Sequence, residues 1–112
     1  MNDVLTVLKE AFAKISNPEN WTRGVYARNA QGRSVLPEGM EACKFCALGA
    51  VYAAAGSSVS ATAFIAEDKL NASARMLYPE YGTVIGVNDQ HSHEAVKAVY
   101  EDAIAKAESA SE

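Results

Sequence analysis

The sequence predicts an α+β fold. It has about four helices around a central apolar helix at about 40–55, a small β-hairpin at about 24–36, and a third short extended segment at 83–87. Three observations carry this prediction. Apolar residues recur at three- and four-residue steps near both ends of the chain. The stretch from Phe45 to Ala55 is apolar on every side, as a helix buried all round must be. Asn29-Ala30-Gln31-Gly32 lies between two short extended segments and carries the residues of a hairpin turn.

The first helix is expected from Asp3 to Ile15, with Val4, Leu8, Ala11, Phe12 and Ile15 on its inner stripe and Leu5 widening it. Asn2 or Asp3 supplies a cap, and Asn17-Pro18 ends the helix, because a residue before proline is pushed out of helical geometry. Gly24 to Arg28 and Arg33 to Leu36 form the expected hairpin, with Gly32 at the left-handed position of a type I turn followed by a bulge. Pro37-Glu38-Gly39 breaks the second strand, and Met40 to Ala55 follows as the central helix, closed by Gly56.

Ser57, Ser58 or Ser60 starts the next helix, which presents Ala63, Ala66, Leu70, Ala74 and Leu77 inward and stops at Tyr78-Pro79. Thr83 to Val87 reads as extended. Ser92 caps the last helix, whose inner face is Val96, Val99, Tyr100, Ala103, Ile104 and Ala107; residues 108–112 are expected to fray.

Size and charge narrow the function classes. A chain of 112 residues fits one domain across 1–112 and has enough apolar mass to fold without a metal or a disulfide. Its 49% apolar and 21% charged residues are ordinary globular composition. A net charge of −4 argues against non-specific binding along a nucleic-acid backbone. No apolar run reaches the roughly 20 residues that span a bilayer, so no membrane association is expected. Met1-Asn2-Asp3 lacks the basic start of a signal peptide, and two cysteines are too few for a disulfide framework, so the expected location is cytoplasmic.

The run Phe45-Cys46-Ala47-Leu48-Gly49-Ala50, with Trp21-x-x-Gly24 upstream, Ala66 and Leu70 in the middle and Asn88-Asp89 before the last helix, resembles an uncharacterised family of short phage and bacterial proteins. These positions span most of the chain, from Trp21 to Ile104. The resemblance implies a small stand-alone domain and supplies no activity.

Five constellations carry chemistry, each beside a plainer reading. Cys46 with His91 or His93 and Asp89 has the residue types of an activated thiol nucleophile. A helix beginning near Met40 instead places Cys46 almost two turns inside it, as a small packing residue. Cys43-Lys44-Phe45-Cys46 has redox spacing but lacks the strand-to-helix handover of redox pairs. Cys43, Cys46, His91 and His93 are four ligand types for zinc, yet His-x-His is tighter than finger spacing, and the histidines read more simply as solvent-facing residues at a helix start.

Asn88-Asp89 reads first as an Asx turn and second as a binding edge. Arg23, Arg28 and Arg33, with no acidic residue between Thr22 and Pro37, read as solubilising edge charges. With Tyr26 they are also residue types enriched at binding hot spots, suited to a protein partner or a phosphate. Trp21 is expected to plug the core and anchor the hairpin.

Together these observations lead to a small non-catalytic binding or accessory protein with no cofactor, acting through an unidentified protein partner by way of Arg23, Tyr26, Arg28, Arg33, Asn88 and Asp89. The alternative is a cysteine-dependent hydrolase or transferase using Cys46 with His91 or His93. The alanine-lined helices also leave room for a homo-oligomer.

Overall fold

The computed structural model describes residues 3–111. Helix α1 spans Val4–Ile15, a 3-10 turn Pro18–Asn20, strand β1 Ala27–Arg28, strand β2 Lys44–Phe45, and helices α2 Ala47–Ala55, α3 Ala61–Leu77, α4 Val84–Gln90 and α5 His93–Ser111. Five helices and one two-stranded antiparallel pairing give the expected α+β class with helices dominant. Asn2, the other candidate cap, and Glu112, the end of the expected fray, lie outside the described residues.

Local signals set most helix ends. Asp3 accepts the Thr6 amide at 2.8 Å, which satisfies one of the donors a helix start leaves open. Asn17 caps the 3-10 turn through Glu19. Ser60 accepts from the Ala63 amide and Ser92 from the Ala95 amide, each at 3.1 Å. Gly56 closes α2 at φ +81°, a left-handed conformation that other residues resist.

Helix α2 is the interior element, with Ala47 through Tyr52 buried without interruption. It packs against α1, α3 and α4, while α5 lies on α1, α3 and α4. Val7, Leu8, Ala11 and Ile15 of α1 meet Val96, Val99 and Tyr100 of α5 in one core that also holds Ala66 and Leu70. Phe12 stacks on Tyr100 with ring centroids 5.6 Å apart, and the fully buried Tyr100 hydroxyl donates to the Ala47 carbonyl at 2.6 Å. On α3, Ala63, Ala66, Leu70 and Ala74 face inward as expected, but Leu77 is 41% exposed and Ser73 takes a buried position.

Three expectations need correction. The central helix does not begin at Met40. Residues 37–41 turn, Lys44 and Phe45 are extended, and Cys46 is the N-cap. The hairpin turn itself forms, with Gly32 at φ +83° and its amide donating to Asn29 at 3.0 Å. However, β1 takes its strand partner from 44–45: Ala27 pairs with Phe45 and Arg28 with Lys44, leaving only a single bridge from Arg28 to Ser34. Phe45 is the buried residue there, and pairing it with β1 places it on the core.

The third correction is that Thr83 to Val87 is helical. Thr83 caps α4 by accepting from Gly86 at 3.0 Å, and Asn71 accepts from the Val84 amide at 2.9 Å. Val84, Val87 and Asn88 are the buried positions, a helical spacing that overrides the β-branched composition.

Gly49 fixes how closely α2 approaches the segment before β1. A Cβ built there would lie 1.8 Å from the Tyr26 carbonyl oxygen. Helix propensity alone favours alanine over glycine by about 1 kcal/mol. The collision reverses that sign, and Gly49→Ala is expected to lower stability by roughly 2–3 kcal/mol in urea unfolding.

Candidate functional site

The residues of the sequence motifs converge on one point, the side chain of Asn88. It is fully buried on α4, and its Oδ1 accepts from the Trp21 indole at 2.6 Å and from the Ala47 amide at 2.9 Å. Its Nδ2 donates to the Thr22 carbonyl at 3.1 Å and to Asp89 Oδ1 at 3.0 Å. Both donor hydrogens and both acceptor positions of the amide are therefore used. Asp89 Oδ1 also accepts from the Gly24 amide at 3.2 Å. Trp21, Gly24, Ala47 and Asn88-Asp89 are thus four parts of one clasp that ties residues 21–24 and the start of α2 to α4. Asn88-Asp89 lies inside a helix and forms no Asx turn.

The arginines divide into two kinds. Arg23 stacks over Trp21 at 4.9 Å and donates to the carbonyls of Asn88, at 3.1 Å, and His91, serving acceptors that the end of α4 leaves open. Arg28 donates to Thr22 Oγ1 at 2.8 Å, to the Gly32 carbonyl at 2.9 Å and to the Arg23 carbonyl at 3.2 Å, which ties the turn to the clasp. Arg33 is exposed, and among the described residues its guanidinium has no hydrogen-bond partner.

Both histidines are half-buried with defined contacts rather than simply solvent-facing. His93 Nε2 donates to the Ile15 carbonyl at 2.6 Å while its ring rests on Trp21 at 5.2 Å. His91 Nδ1 accepts from the Ser92 amide at 2.8 Å, and its ring meets Tyr78 at 4.9 Å and Tyr81 at 5.6 Å.

Cys46 is 1% exposed, and its sulfur accepts from the Gly49 amide at 3.2 Å, filling the role a serine usually takes at a helix start. Burial pushes the thiol up from 9.0 to about 11, and the Asp89 carboxylate adds to the rise. That is opposite to what a nucleophilic thiolate needs. Neither imidazole hydrogen-bonds to it. The expected packing role fits, although the reason differs, since the sulfur caps the helix instead of lying within it. Among the described residues no three of His, Cys, Asp or Glu are placed to hold a metal ion, so Cys43, Cys46, His91 and His93 do not assemble the tetrahedral site. No helix of the described residues is long and apolar enough to cross a membrane.

Beside the clasp lies an open cleft of about 280 Å³ lined by Gly24, Val25, Tyr26, Cys46, Ile85 and Asp89. Tyr26 is 48% exposed and meets Tyr52 edge-on at 5.3 Å. Of the binding residues read from sequence, Tyr26 and Asp89 line this cleft, and Arg23, Arg28, Arg33 and Asn88 do not. Ile85 and the cleft role of Val25 had no signal in the sequence beyond Ile85 lying on the outer side of the helical spacing of α4.

The sequence model of a family of unknown function, DUF6197, matches residues 1–106. No curated protein and no solved structure matches the chain.

Asn88→Ala would leave the Trp21 indole, the Ala47 amide and the Thr22 carbonyl without their partner. It is expected to cost at least about 3 kcal/mol in urea unfolding, followed by the emission of Trp21. The raised thiol also fixes a sign. Between about pH 9 and 11 the native state keeps a proton that the unfolded chain releases, so stability falls as pH rises through that window. Urea midpoints measured across it should drop, with Cys46→Ser showing a shallower decline.

Proposed function

Because the chain belongs to this family of unknown function, we propose from the geometry that it is a small non-catalytic binding or accessory protein, of the phage-derived kind its motifs resemble. It engages a protein partner at the cleft between residues 24–26 and α4. The observation that carries this reading is the contrast between neighbouring groups. Arg23, Arg28 and Asn88 spend their hydrogen bonds within the chain, while Tyr26 leaves half its surface in water beside an exposed carboxylate. Tyrosine in a concave site supplies contact area at little entropic cost. The open cleft of about 280 Å³ has room for a protruding side chain of a partner.

The cysteine-dependent alternative has one observation in its favour: Cys46 lines the cleft next to Asp89. Its raised pKa and spent lone pair count against it.

A photo-crosslinking residue at position 26 tests the binding reading against one at Ala105, which is exposed on α5. A protein captured from 26 and not from 105 is the expected result, and an identical set from both sites would remove the cleft from consideration. Iodoacetamide added to the same native sample should label exposed Cys43 and spare Cys46 until denaturant is added. Equal labelling rates would restore the cysteine enzyme.

A further inference from the structure

The chemistry of the cleft wall specifies more than a generic partner. Asp89 is exposed, and its Oδ1 already accepts two N–H groups, from Gly24 and from Asn88 Nδ2. Its Oδ2 takes no hydrogen bond from the described residues. The carboxylate therefore offers one open oxygen rather than two. Among the described residues no lysine or arginine lines the cleft, so the charge is left for a visitor to compensate. The Tyr26 ring, whose electron-rich face attracts a cation, lines the same cleft, and Ile85 and Cys46 add apolar lining.

We propose that the cleft is a lysine-binding site: the side chain of a lysine on a partner protein lays its methylenes along Ile85 and the Tyr26 ring and brings its ammonium to Asp89 Oδ2. This rests on the cleft being the docking site. An aliphatic stem with a charged tip matches a pocket that is apolar along its length and anionic at one point.

Arginine fits less well. A guanidinium reaches its full strength by forking onto both oxygens of a carboxylate, and here Oδ1 is occupied. A compact ammonium needs only the one free oxygen. The chain's net charge of −4 draws a basic segment toward the surface.

The test uses the whole protein, labelled with nitrogen-15, titrated with blocked Ala-Lys-Ala and with the same peptide carrying Nζ-acetyl-lysine or arginine. The lysine peptide should shift the Gly24, Ile85 and Asp89 amides with a Kd on the order of a few mM, as one charge-assisted contact and a short apolar stem allow. The acetylated peptide should bind at least about tenfold more weakly, and the arginine peptide should fall between the two.

Asp89→Asn keeps an Oδ1 for Gly24 and Asn88 while removing the charge, and it should abolish the lysine response. Equal shifts from the acetylated peptide would overturn the lysine assignment and leave the cleft as a docking site. No cleft shifts from the lysine peptide, with crosslinking from position 26 still capturing a partner, would also overturn it without touching the docking reading. Comparison of the peptides on the unaltered protein decides the matter even where Asp89→Asn fails to fold.

Discussion

Helix α2 begins where Asn88, 41 residues downstream, accepts its first amide. The rest of the structure depends on that contact. The Asn88 amide meets Trp21, Thr22 and Ala47 at once and is cut off from water, so each of its bonds is worth more than a surface contact, and losing one strands another. With the start of α2 fixed at Ala47 and Cys46 turned to cap Gly49, residues 44–45 are released from the helix and pair with β1. The segment before β1 then lies so close to α2 that only glycine fits at position 49. One wall of the cleft, Gly24 to Tyr26, is held by these bonds, and the other wall is the outer side of α4.

What could be read from sequence follows the range of the interaction that decides it. Asp3, Ser60, Gly56 and Ser92 act on amides or carbonyls within a few residues, and the helix ends they mark stand where the residue types place them. The two misread stretches differ, and the first is decided from afar. Met40 to Cys46 has nothing in its own composition that forbids a helix. It is kept out of one by β1 and by Asn88. Thr83 to Val87 has strand-like side chains, and there the contrary signal was present locally: a threonine with Gly86 three residues on, and apolar positions at 84 and 87. The cleft was half legible. Tyr26 and Asp89 stood out as residue types, but the sharing of one side chain among Trp21, Ala47 and Thr22 has no trace in spacing.

The same network redistributes charge. The basic hairpin read as a contact for a protein partner or a phosphate, yet two of its three arginines turn onto backbone carbonyls, where a guanidinium with five donors is well spent. The cleft beside the clasp is therefore lined by a carboxylate and a phenol, while the exposed Arg23 keeps its guanidinium on backbone carbonyls. A count of charged residues along a segment is a poor guide to potential when the segment is short and must fasten itself to the rest of the fold.

The wide separation of the groups that meet at Asn88 also sets an order of events during synthesis. The alanine-rich interior helix leaves the ribosome well before α4, so its first amide and the Trp21 indole must wait, exposed, for a residue not yet made. Closing such long loops comes late in folding and is entropically costly. A nascent chain halted before α4 would carry an oily, uncapped rod, the kind of species that chaperones hold and that aggregates when they do not.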